Sequence, residues 1–184
     1  MIRRQSIGVR ATVLFVFFVF AIVLIYASVV RFNIDKPEID NLPNVGQMAP
    51  DFTLKQLDGT SLSLSSLRGK TVLLTFWGTY SGNSRAEISA LQQVYEKWKG
   101  KGVVIVGVDI GEDPITISGF FASHPATFPV VIDKSRDVTL NTYKIQPIPA
   151  TFLIDSSGRI RERAVEEMSA ETLDQWLVKL GVGA

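Results

Sequence analysis

The sequence of 184 residues contains no cysteine. That one absence removes structural disulfides, thiolate metal sites and cysteine nucleophiles together. Histidine is nearly absent too. His124 is the only one, so an imidazole-rich metal site is excluded, and the acidic pairs Glu112-Asp113 and Glu166-Glu167 read as solvated charges rather than ligands. No run of Lys or Arg occurs, and 19 basic residues balance 18 acidic ones, giving a formal charge of +1. A chain without a basic stripe is not built to neutralise phosphates, which argues against a nucleic-acid partner. Internal repeats and low-complexity tracts are missing as well.

What the sequence does have is one long apolar run. Residues 11 to 30, ATVLFVFFVFAIVLIYASVV, carry no charge, and twenty residues of helix reach about 30 Å, the thickness of a bilayer's hydrocarbon core. A cleaved signal peptide has a shorter apolar region and a small-x-small cleavage site; residues 26 to 30, YASVV, offer no such site. The run therefore reads as an uncleaved transmembrane anchor. Arg3, Arg4 and Arg10 precede it without an acid, whereas Arg31 and Lys36 after it are offset by Asp35, Glu38 and Asp40. This asymmetry keeps residues 1–10 in the cytoplasm and puts the rest on the outer face of the membrane. Residues 31–48, polar and containing prolines, read as a tether, and residues 49–184 as one folded domain.

That domain alternates strand-like and helix-like segments, the pattern of an α/β layer fold. Asp51 to Leu54 and Ser61 to Leu64 flank the turn dipeptide Asp58-Gly59 and predict a hairpin. Thr71 to Trp77 is almost continuously apolar, as a central strand buried on both faces must be. Helical spacing follows from Asn83 to Lys99. Further strands are predicted at Val103 to Asp109, Pro129 to Asp133, Thr151 to Asp155 and Ile160 to Val165. A helix is predicted at Pro114 to Ser123, a helical turn at Val138 to Tyr143, and a last helix capped by Ser169.

The stretches GQMAPDFTLKQLDG, LRGKTVLLTFWGTYSGNSRAE, FPVVIDKSRDV and IPATFLIDSSGRI, in that order, resemble thioredoxin-like proteins of the TlpA and ResA type, neighbours of the AhpC/TSA redoxins. The resemblance covers about residues 46 to 180. It implies a thioredoxin fold: a central mixed sheet flanked by helices, with an N-terminal hairpin extension and an extra strand-helix insertion. Such proteins are typically anchored outside the bacterial cytoplasmic membrane and reduce disulfides, often during cytochrome c maturation. By the same resemblance Ser81 and Ser84 stand at the two active-site cysteine positions. Pro149 falls on the proline held cis opposite them. Thr75 occupies the place of thioredoxin's buried aspartate and Gly82 that of a glutamate beside the first cysteine. On this reading no carboxylate is left to manage the proton of the resolving position.

Serine at both positions removes the chemistry. A helix amino terminus helps lower a thiol pKa to as little as about 3.5. A hydroxyl starting near water's value of about 15.7 stays protonated after a comparable shift. Two hydroxyls also cannot store two electrons as a covalent bond. Ser81 reads instead as a helix N-cap. Serine-hydrolase chemistry lacks a base, because His124 belongs to a different part of the chain, and peroxidase chemistry lacks its cysteine. No cofactor is expected. What can outlive the chemistry is the groove beside the cis-proline, lined by Trp77, Tyr80, Ile148 and Pro149, where an extended or cysteine-containing protein client would pair as an added strand. Trp77 and Tyr80 read equally well as packing residues. Three functions remain open: a non-catalytic binding module, a reductase presented as a double Cys-to-Ser variant, and a membrane-tethered spacer.

Overall fold

The computed structural model describes residues 15, 17–26 and 41–183. Two units are distinct, residues 1–38 and 39–184. In the first, 17–26 is helical, with Phe17, Phe18, Phe20 and Tyr26 exposed. The rest of the expected span 11–30 and tether residues 31–40 lie outside the described residues. Among the described residues, no helix is long and apolar enough to cross a membrane.

The second unit is built on β1 (Thr53–Gln56), β2 (Ser61–Ser63), β3 (Thr71–Trp77), α1 (Gly82–Trp98), β4 (Val103–Ile110), α2 (Pro114–Ser123), β5 (Val130–Asp133), β6 (Ala150–Ile154), β7 (Ile160–Ala164) and α3 (Ala170–Lys179). Seven strands form one sheet in the order β2-β1-β5-β4-β3-β6-β7. Strands β3, β4 and β5 run parallel, while β1 with β2 and β5, and β6 with β3 and β7, pair antiparallel. This is the mixed sheet expected. The hairpin forms across Gly59, whose φ of +83° costs an ordinary side chain strain that glycine escapes. Strand β5 is followed by a wide helical turn, Val138–Thr142.

All seven residues of β3 are buried, which is why its sequence shows no alternation. Its odd and even positions serve two cores. Leu73 and Trp77 point to the face covered by the helices, where they meet Ile88, Leu91 and Val94 of α1, Ile117 of α2, and Leu173 and Leu177 of α3. Val72, Leu74 and Phe76 point to the other face, closed by Phe52, Leu64, Tyr143 and Ile145. There the Tyr143 ring lies 4.8 Å from Phe76, and its hydroxyl donates to the Pro50 carbonyl at 2.7 Å.

The folded body starts earlier than residue 49. Leu42 is buried in the core. Gly46 N–H donates to the Ile160 carbonyl, Ile160 N–H to the Gln47 carbonyl, and Met48 bridges Arg159. Arg163 reaches back to the Leu42 carbonyl at 3.1 Å. Residues 42–48, assigned from sequence to the tether, thus lie along the outer edge of β7.

Candidate functional site

The site lies where β3 runs into α1. Gly78, Thr79, Tyr80 and Ser81 make the turn, and α1 begins at Gly82. Ser81 has extended backbone geometry, and its hydroxyl accepts the Ser84 N–H at 3.2 Å. It is the N-cap that the sequence suggested, a role that contributes about 1 kcal/mol. Ser84, at the second cysteine position, is fully buried, and its hydroxyl has no partner.

Register brings Pro149 to this turn. Phe76 on β3 pairs with Ala150 on β6, so Pro149, one residue earlier, sits at the end of β3. The Ile148–Pro149 bond is cis, as the resemblance implied, and so is Gln146–Pro147, which nothing in the sequence indicated. Pro149 is buried and Ile148 half-buried. Tyr80 is 60% exposed. Trp77 is not at the surface: at 1% exposure it fills the space against Phe120 and Phe121 of α2, with ring centroids at 5.6 and 5.4 Å. Its alternation on β3 turns it into the helix-covered core, so of the four expected groove residues it belongs to the packing.

The expectation that no carboxylate serves the site fails. Glu87 lies one turn along α1 from Ser84 and is 1% exposed. Its Oε1 is 2.7 Å from the Thr151 hydroxyl, which is 2.9 Å from that of Thr75. Thr151 carries one proton, so the direction of this chain depends on Glu87. When the Thr151 hydroxyl donates to Glu87 Oε1, Thr75 must donate to Thr151; only a Glu87 proton placed on Oε1 turns both bonds round. The second carboxyl oxygen has no partner. Burial pushes the Glu87 carboxyl up to about 8, the Thr151 bond working against this and the Glu167 charge with it. Glu87 is therefore mainly protonated at neutral pH, a proton held behind the two serines.

A second acidic group was also misread from sequence. Glu112 is not a solvated partner of Asp113. Its carboxylate accepts the Thr79 N–H at 2.6 Å and the Thr79 hydroxyl at 2.5 Å. His124 ends α2, where its ring stacks on Phe120 at 4.3 Å and hydrogen-bonds with Ser123. These partners occupy it away from the serines. Among the described residues, no group of three or more acidic or imidazole side chains is arranged to hold a metal ion.

Comparison with known proteins agrees with this geometry. The family model described as AhpC/TSA matches residues 45–163, more than half of the chain. The chain belongs to the AhpC/TSA family. Within that family it is a thioredoxin-like protein of the TlpA/ResA type. It is 36% identical over 136 residues to the thiol-disulfide oxidoreductase ResA of Bacillus cereus, covering 74% of this chain and 78% of that one. It is also 36% identical over 132 residues to ResA of Bacillus subtilis, covering 72% and 73%. A crystal structure of a putative thiol:disulfide interchange protein DsbE from Chlorobium tepidum superposes with a TM-score of 0.69 at 30% identity, covering 74% of this chain and 97% of that one. StoA from Bacillus subtilis gives a TM-score of 0.61 at 25% identity, over 70% and 96%. This AhpC/TSA chain differs from a thiol-dependent enzyme in having no sulfhydryl anywhere.

Proposed function

We propose that this chain is a membrane-anchored module on the outer face of the cytoplasmic membrane, which holds an extended or cysteine-containing protein client without exchanging disulfides. The observation that carries the reading is the state of the two serines. Ser81 is engaged as a helix cap and Ser84 is sealed in the core, and neither supplies a thiolate. The cis Pro149 beside the exposed Tyr80 supports strand-like pairing with a client. The apolar run 11 to 30 and its flanking arginines support the anchor and its orientation.

A second reading has one observation in its favour. Glu87 keeps a buried, proton-bearing carboxyl next to Ser84, as though the site still awaited a thiol. On that reading the chain is a disulfide reductase with both cysteines replaced by serine.

The test is reduction of a disulfide-linked peptide by dithiothreitol, catalysed by the full chain and by its Ser81→Cys, Ser84→Cys double variant. The serine form is expected to show no rate above background, and turnover by it overturns the proposal. A double variant as fast as ResA favours the second reading. A folded but slow one favours a binding module whose catalytic apparatus has drifted.

A further inference from the structure

Thr79, in the turn before α1, is held at its N–H, its hydroxyl and its carbonyl. Glu112 takes both its N–H and its hydroxyl, and Arg85 Nη1 donates to its carbonyl at 2.7 Å. Glu112 is itself placed by Asp109, the last side chain of β4 on the helix-covered face, whose Oδ1 accepts the Glu112 N–H at 3.0 Å. Gly111, with φ of +79°, makes that fold-back possible, and Arg136 packs directly over it. Asp109 is completely buried, and its other oxygen has no partner.

The charged and titratable groups around Asp109 come from three elements. Glu112 lies beside it on the loop after β4. Tyr80, on the turn after β3, senses Asp109, Glu112 and Arg136 together. Lys134 follows β5 and acts on Asp109 from a distance, its ammonium already paired with Asp113 at 2.6 Å. Helix α2 contributes no charged side chain of its own between Pro114 and Ser123.

We propose that Asp109 and Glu112 form a proton-dependent latch on the Thr79–Tyr80 turn, closed while Asp109 is protonated and opened when it ionises. With a proton on Asp109, the pair does not carry two negative charges, and Glu112 stays inside to hold Thr79. Without it, two carboxylates share one short loop where water is scarce, with Lys134 already paired with Asp113, Arg85 engaged at the Thr79 carbonyl and Arg136 packed over Gly111. Glu112 is the half-exposed member and has solvent within reach, so it turns outward, and Thr79 loses two bonds at once. Burial first, and then the Glu112 carboxyl, raise the Asp109 carboxyl, while the Glu112 N–H bond and Lys134 oppose them only in part. The latch is therefore closed at neutral pH and opens on the alkaline side. Any effect on a client rests on the groove reading above, whereas the latch itself does not.

The experiment follows the methyl resonance of Thr79 in the full chain, labelled at threonine methyls, between pH 6 and 10. The wild type is expected to show one step on the alkaline side of neutrality. Asp109→Asn, which cannot ionise, is expected to keep the low-pH position throughout. Glu112→Ala, which leaves the Thr79 N–H and hydroxyl without their acceptor, is expected to sit near the open position at every pH, which keeps the test decisive should Asp109→Asn not fold. A wild type with no step, or a step that survives either substitution, overturns the latch. A step without any pH effect on peptide binding leaves the latch standing and counts against the groove.

Discussion

Replacing Glu87 by glutamine tests the account of the buried carboxyl. In the folded chain its pKa is raised from the ordinary 4.5 to about 8. Unfolding exposes it to water and returns it to the ordinary value, so between these pH limits the folded state holds a proton that the unfolded state lacks. Stability is then fully present below about pH 4.5 and falls as pH rises through about 8, by up to about 1.4 kcal/mol per pH unit. The whole interval corresponds to about 5 kcal/mol, a ceiling that local rearrangement around the partnerless oxygen will lower. Glutamine is isosteric and neutral at every pH. Its amide hydrogens find fewer acceptors than they need beside Thr151, so at pH 5.5 the variant should be equal to the wild type or about 1 kcal/mol less stable. At pH 8.5 the order should reverse, with Glu87→Gln the more stable by about 2 to 3 kcal/mol. Urea unfolding at both pH values, with the denaturant slope checked for constancy, reads the difference directly. A stability gap that does not change between pH 5.5 and 8.5 would refute the reasoning.

Other consequences are simpler to state. Ser81→Ala removes the cap on α1 and should lower stability by about 1 kcal/mol in urea unfolding, whereas Ser81→Asp, which can cap equally well, should not. Gly158→Ala should be destabilising by about 1 kcal/mol, with a thermal midpoint lowered by a few degrees. Its φ of +90° strains any side chain, whereas the Arg68 guanidinium over it is the end of a flexible side chain and can move aside. Asp155 accepts bonds from Ser157, Arg159 and Arg161, and its carboxyl is held down to about 2 from 3.8 against the opposing effect of burial. That stability is present above about pH 4 and is lost as pH falls through 2. Asp155→Asn should therefore cost about 2 kcal/mol at pH 7, with the gap to wild type closing in acid-titrated unfolding.

The parts of the fold legible in the sequence are those set by neighbours along the chain. The strand Thr71–Trp77, the helix Pro114–Ser123, the caps Ser81 and Ser169 and the turns at Gly59 and Gly158 each depend on residues within a turn or a strand of themselves. Trp77 was ambiguous for a physical reason: in a strand apolar on both faces, alternation does not say which side a residue takes, and only the pairing with β4 and β6 decides. Glu112 meets Thr79 across 33 positions and Thr151 meets Glu87 across 64, distances at which no spacing rule operates. Glu87 did leave a trace. Ser84, Glu87, Ile88 and Leu91 follow the i, i+3, i+4, i+7 stripe that α1 buries, and a glutamate on such a stripe is a buried carboxyl in waiting.

The strip of chain from Leu42 to Met48 has a practical side. By taking both the amide and the carbonyl of Ile160, bridging Arg159 and receiving Arg163, it covers the start of the outermost strand. A shortened chain starting at residue 49, where the sequence places the domain boundary, would bare that margin and take Leu42 out of the core. Such a margin invites a second molecule to add itself as the next strand. Self-association on concentration is the expected behaviour of that fragment, and a version beginning at residue 41 or before should stay monodisperse where it does not.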